Sequence, residues 1–191
     1  MTFKTKGYQV IKKAIPEDMA KLANNYLIIK EQVFETLKNN KLISPYQKEY
    51  GVKNDVQVPG AYSIYGDPLM DCLLLKLHKQ VEKIIEVELF PTYSYARIYK
   101  KGHELKIHTD RNECKFSTTL NLGGDKWPIF MGSTSVNLLP GDMVIYRGCD
   151  IEHYRKPFEG NYCCQVFLHY VDKEFEKNKL DGRPHVGLQQ Y

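Results

Sequence analysis

The sequence predicts an α+β domain, two helices followed by a β-sandwich or barrel. Apolar residues recur at helical spacing in two stretches of the N-terminal half, and short β-branched and aromatic runs fill the rest to residue 172. The 14 tyrosines and 8 phenylalanines lean the composition the same way, since aromatic side chains suit a half-buried pleated surface.

Taken in order, YQVIKK at residues 8–13 reads as a short strand. Pro16 and Glu17 then open a helix carrying Leu22, Ala23, Tyr26, Val33, Phe34 and Leu37 at roughly helical spacing, and Asn39-Asn40-Lys41 ends it. Residues 40–66 contain Pro45, Gly51, Pro59, Gly60 and Gly66, which predicts a long ordered loop of the kind that lies over a site.

Asp67-Pro68 is a helix start, aspartate as N-cap and proline at the first helical position. Met70, Leu73, Leu74, Leu77, Val81, Ile84 and Ile85 follow as a stripe to pack on a sheet, and His78, just off it, is expected to be a packed or exposed histidine.

From Thr92 the runs TYSYARIY, LKIHTD, KFSTTLNL, WPIFM, SVNLLP, DMVIYRG and YCCQVFLHYV are broken by Gly, Pro, Asp and Asn, about seven or eight strands in all. Residues 173–191, with His185, read as a polar extension. The expected organisation is a single domain over 1–191, with helical support at 1–91 and a β core at 92–172.

A net charge of +4 without a dense Lys/Arg run advertises no nucleic-acid partner. No window has the apolar length of a membrane span or a signal peptide. The cysteines, Cys72, Cys114, Cys149, Cys163 and Cys164, form no C-x-x-C zinc pair and are odd in number, so reduced thiols and a cytoplasmic location are expected. Adjacent Cys163 and Cys164 face opposite sides of a strand and read as small buried hydrophobes, and Trp127 reads as a packed or rim aromatic.

KIHTDR at residues 106–111 carries the chemistry. In a strand, side chains at i and i+2 share a face, so His108 and Asp110 converge while Thr109 points away. His153, just after DMVIY and the turn RGCD, is the candidate third ligand, with His169 as its rival; His103 and His185 have no partner at ligand spacing. Two histidines and one carboxylate cover one face of a metal and leave the other open, the pattern of non-haem Fe(II) oxygenases.

The ordered motifs YKKGHELKIHTD (99–110), STTLNLG, LLPGDMVIY and HYRKPFEGNY (153–162) resemble the 2-oxoglutarate and Fe(II)-dependent oxygenase superfamily, nearest its prolyl 4-hydroxylase-like branch. The resemblance spans residues 92–172. It implies a double-stranded β-helix, a jelly-roll or cupin-like barrel of two sheets, with the N-terminal helices packed on the major sheet. It further implies His108, Asp110 and His153 as iron ligands, Tyr99 near the cosubstrate and Thr119 touching it. The implied cofactors are Fe(II), 2-oxoglutarate and dioxygen, with ascorbate as an accessory reductant. The intact Asp110 implies hydroxylation, because related halogenases put a small residue there.

One position departs from the family pattern. Its members place an Arg or Lys nine or ten residues past the distal histidine to hold the remote carboxylate of 2-oxoglutarate, but Tyr162 and Cys163 stand here. A buried carboxylate without a cationic partner is costly, so another group must serve. Arg155 is the first candidate, Arg97 the second, and Gln165 could add a neutral hydrogen bond. Peptidyl proline is the leading substrate expectation, with a small molecule, another amino-acid side chain or a modified nucleobase open. A non-redox cupin-like metalloenzyme and a non-catalytic barrel are the alternative readings.

Overall fold

The computed structural model describes residues 3–44 and 46–175. His185 and most of the polar extension lie outside the described residues. The elements in chain order are a helical turn α1 (Phe3–Lys6), β1 (Tyr8–Ile11), helix α2 (Glu17–Asn39), β2 (Tyr62–Tyr65) and helix α3 (Pro68–Ile85), followed by eight strands. These are β3 (Leu89–Lys100), β4 (Leu105–His108), β5 (Phe116–Gly124), β6 (Ile129–Met131), β7 (Thr134–Val136), β8 (Met143–Arg147), β9 (His153–Arg155) and β10 (Tyr162–Asp172).

Helix α3 begins where its cap chemistry requires. Asp67 Oδ1 accepts from the backbone N–H groups of Leu69 at 3.0 Å and Met70 at 3.4 Å, satisfying donors that have no partner inside the helix. Its buried face is Met70, Leu73, Leu74, Leu77, Val81 and Ile85, each worth roughly 1.5–3 kcal/mol of burial. Helix α2 starts with Glu17 and Asp18 at its positive end and buries Ala20, Ala23, Leu27 and Phe34. Here the expected stripe is corrected: Leu22 and Val33 are exposed, because the buried arc is rotated onto the small alanines that let the helix lie close. One apolar cluster joins these helical residues to Leu120, Met143, Ile145, Val166 and Leu168 of the sheet.

The strands form a six-stranded sheet in the order β1-β8-β5-β10-β3-β2 and a four-stranded sheet in the order β4-β9-β6-β7, with antiparallel pairing throughout the described ladders. The architecture is β-rich and of jelly-roll type. Period-two alternation divides β10 between two environments. Cys164, Val166, Leu168 and Tyr170 join the helix-side cluster, while Cys163 and Phe167 join a second cluster with Tyr95, Tyr99, Leu105 and Trp127. The two adjacent cysteines thus do face opposite sides, and the five cysteines form no disulfide.

The segment 40–66 is not loop throughout, because Tyr62–Tyr65 forms edge strand β2 against β3. Tyr62, Ile64 and Tyr65 are strand-prone but sit in a Gly- and Pro-rich stretch, and the partner supplies the ladder, with Ser63 opposite Arg97. Residues 40–61 lie outside the named helices and strands. Among the described residues no helix is long and apolar enough to cross a membrane.

Candidate metal centre

Register brings the two histidines together. β4 pairs with β9 so that His108 sits opposite His153, and their rings lie 4.2 Å apart, centroid to centroid. Strand β4 ends at His108, so Asp110 is not on the ladder as the i, i+2 argument assumed. Its backbone N–H instead donates to Gly148 O at 2.8 Å, and the carboxylate still reaches both imidazoles. Asp110 Oδ1 lies 3.8 Å from His108 Nε2 and 3.6 Å from His153 Nε2. One donor atom from each of the three residues lies within 4.8 Å of the other two.

The tautomers follow from the acceptors. His108 Nδ1 faces Lys106 O at 2.8 Å and His153 Nδ1 faces Ile151 O at 2.9 Å; a carbonyl only accepts, so each Nδ1 carries the proton and each Nε2 presents a lone pair. Burial pushes the His108 pKa down, and neighbouring His153 adds to this. Burial pushes Asp110 up, but its interactions with His153, His169 and Ser117 outweigh it and hold the carboxyl below its ordinary value. Neutral imidazole beside ionised carboxylate is the protonation state a divalent cation requires.

Behind Asp110 lies a chain of hydrogen bonds that the sequence did not advertise. Ser117 Oγ donates to Asp110 Oδ2 at 2.7 Å and lies 2.9 Å from His169 Nδ1. A hydroxyl has one proton, so with that proton on the carboxylate, His169 must donate to Ser117. Burial moves the His169 pKa down to about 4, which keeps this ring neutral and able to serve as that donor. The chain occupies Oδ2 and leaves Oδ1 facing the imidazoles. His169 is therefore a supporter of the cluster and His153 its third member. The signal lies in the β5–β10 register, which sets His169 across from Ser117.

Gly148 is the second missed residue. A Cβ there would fall 2.2 Å from Cys114 O and 2.6 Å from Asp110 Oδ2, so only glycine permits the approach that carries Asp110 inward. Ser117→Ala is expected to weaken Fe(II) binding about 10- to 100-fold with little change in fold, as loss of a ligand's outer hydrogen bond does. Anaerobic metal titration checks this, and wild-type affinity in the variant would show that Oδ1 is held by other means.

The cluster opens on a cavity of about 320 Å³ walled by aromatic residues, among them Tyr65, Tyr93, Tyr95 and Phe167. A larger cavity of about 740 Å³, against Phe3 and Phe116, shares no lining residue with it and holds none of the three. Arg97 lines the smaller cavity and is paired: Nη2 donates to Asp55 Oδ2 at 2.5 Å and Nη1 to the Tyr99 hydroxyl at 3.0 Å. Thr119 Oγ1 lies 3.5 Å from the Tyr146 hydroxyl.

Arg155 differs from Arg97. It is 1% exposed, its Nη1 donates to Trp127 O, and its Nε and Nη2 have no partner among the described residues. Burial pushes its pKa down, yet a guanidinium stays charged in proteins, so this is a buried cation with donors to spare. Nearby Gln165 donates from Nε2 to Asn121 Oδ1 at 3.1 Å and keeps a buried, unpartnered Oε1. Trp127 is packed between Tyr99 and Phe158.

No protein-family model matches the sequence, and no curated protein matches it. Solved structures do. A prolyl-4-hydroxylase from Pseudomonas putida aligns over 90% of this chain and 95% of its own at 14% identity, with a TM-score of 0.67. HygX from Streptomyces hygroscopicus, solved with nickel and 2-oxoglutarate bound, aligns over 98% and 91% at 13% identity, with a TM-score of 0.67. The viral collagen prolyl hydroxylase of Paramecium bursaria Chlorella virus-1, solved as a 2OG complex, aligns over 87% and 97% at 10% identity, with a TM-score of 0.62. Identities this low speak for architecture, and the chain has the fold of the 2-oxoglutarate/Fe(II)-dependent oxygenase-like proteins.

Proposed function

We propose that this chain is a 2-oxoglutarate- and Fe(II)-dependent dioxygenase that hydroxylates a C–H bond of its substrate. In this reading it works as one catalytic domain, residues 1–91 bracing a double-stranded β-helix core at 92–172. The observation that carries the proposal is the convergence of His108, Asp110 and His153 on an aromatic-walled cavity, with both imidazoles held in the metal-binding tautomer.

The bound metal supplies dioxygen activation coupled to decarboxylation of 2-oxoglutarate to succinate. The protein's own part is orientation and exclusion of water. His108 and His153 offer Nε2, and Asp110 offers Oδ1 while Ser117 holds its other oxygen. Arg155 is the anchor for the remote carboxylate, because its buried Nε and Nη2 are unpartnered among the described residues and a carboxylate would satisfy them. Gln165, Tyr99 and Thr119 are the further residues assigned to the cosubstrate in this reading. Arg97 is the weaker candidate, since Asp55 already neutralises it.

Peptidyl proline is the first substrate to test, because the bacterial and viral prolyl hydroxylases share this fold. The reaction class is tested by anaerobic titration of 2-oxoglutarate into the Fe(II)-loaded protein. A weak visible metal-to-ligand charge-transfer band is the expected result. Its absence with iron bound would move the chain to the non-redox cupin-like reading, and failure to bind iron would move it to the non-catalytic one.

A further inference from the structure

Arg97 sits in an aromatic cage and lines the cavity at the metal cluster. It is 2% exposed, and its Cζ lies 4.9 Å from the Tyr95 ring centre, 5.4 Å from that of Tyr99 and 5.9 Å from that of Phe167. Its charge is met by a segment outside the sheets. Asp55 and Gln57 of residues 40–61 reach Nη2 with Oδ2 at 2.5 Å and Oε1 at 3.1 Å, and the Tyr95 hydroxyl also donates to Asp55 Oδ2. Arg97 Nε has no partner among the described residues.

Asp55 does two separable things. Oδ1 accepts from the N–H groups of Gln57 at 2.7 Å and Val58 at 3.3 Å, an Asx turn that shapes its own loop. Oδ2 alone faces the guanidinium. A strand-borne cation in a water-poor cage is thus neutralised by a carboxylate carried on a loop, the class of element that opens most readily.

We propose that the part of this cavity around Arg97 is a carboxylate subsite, with Arg97 as its recognition group and Asp55 as a built-in stand-in, and that the substrate is a small carboxylic acid. Size agrees: about 320 Å³ is at the small end of ligand pockets, which span roughly 300–1,000 Å³. The stacked pair Tyr65–Tyr95, with ring centres 4.1 Å apart, gives the body of such an acid a flat apolar wall. A prolyl residue inside a chain presents a neutral amide there and leaves Arg97 to Asp55, so the subsite separates free acids from internal peptide residues and puts a small acid ahead of peptidyl proline as the substrate. The oxygenase reading supplies the reaction; the binding claim stands without it.

The test is calorimetric titration of cyclohexanecarboxylate and of cyclohexanecarboxamide, equal in shape and different in charge, into metal-free protein. The acid is expected to bind tighter than the amide in the wild type. Asp55→Asn keeps the turn-forming oxygen and removes the competing charge, so the acid should gain about tenfold while the amide stays within about threefold. Arg97→Gln should erase the preference. Equal binding of acid and amide, or an Asp55→Asn variant that binds the acid no better, overturns the subsite and leaves Arg97–Asp55 as an ion pair that holds the loop. Repeating the titration on Ni(II)- and 2-oxoglutarate-loaded protein separates the two carboxylate sites. Retained acid binding supports the proposal, and one-for-one displacement by 2-oxoglutarate assigns Arg97 to the cosubstrate and overturns it. The charge-transfer band of Fe(II)-loaded Asp55→Asn reports the reaction class by itself, so a band without acid preference sinks only the subsite, and acid preference without a band sinks only the oxygenase reading.

Discussion

Asp110→Ala is expected to abolish stoichiometric Fe(II) binding and leave the fold intact. The carboxylate is the one anionic donor of the cluster, and its Oδ1 lies 3.6 Å and 3.8 Å from the two imidazole Nε2 atoms. Without it two neutral imidazoles remain, so the loss should exceed the roughly 10- to 100-fold expected of an outer-shell change such as Ser117→Ala. Asp110 belongs to no apolar cluster, so the helix–sheet core is untouched. His108→Ala should behave likewise. Metal content after anaerobic reconstitution, with a thermal melt alongside, checks both parts. Near-stoichiometric iron in either variant would remove the metal assignment.

Arg155→Met is expected to act in opposite directions on stability and on cosubstrate binding. The guanidinium is 1% exposed with two nitrogens unpartnered among the described residues. Replacing such a charge by an apolar chain of similar length should stabilise metal-free protein by about 1–4 kcal/mol, several degrees in melting temperature. The same change removes the donors proposed for the remote carboxylate, so the 2-oxoglutarate dissociation constant should rise about 100-fold, the size of losing a charge-assisted hydrogen-bond pair. Iron affinity should change little. Differential scanning calorimetry and the charge-transfer titration read the two arms. Unchanged 2-oxoglutarate affinity would transfer the anchor to Arg97 or another group. A fall in melting temperature would show that the cation is compensated in solution.

Much of this arrangement is legible along the chain. The Asp67 cap, the Met70–Ile85 stripe and the run of short strands from Thr92 were read correctly because each depends on neighbours within a few residues. His108, Asp110 and His153 were legible for a related reason: a short spacing and an ordered set of motifs. The errors share one cause. The expected stripe of helix α2 includes Leu22 and Val33, and only the sheet beneath it selects Ala20, Ala23, Leu27 and Phe34 as the buried face. Strand β2 exists because β3 offers it a ladder, whatever its own propensity.

By itself, then, the sequence determined the two long helices, the run of strands after them and the spacing that singles out His108, Asp110 and His153 as candidate ligands, because periodicity, capping and motif spacing are local quantities. Only the tertiary structure decided that Ser117 and His169 stand behind Asp110, that Gly148 makes room for it, and that Arg97 has a carboxylate partner while Arg155 has none among the described residues. Those facts depend on strand register and on where a loop lands. A one-residue slip in either would turn every side chain concerned to the opposite face, and no spacing within a single strand records which register the sheet adopts.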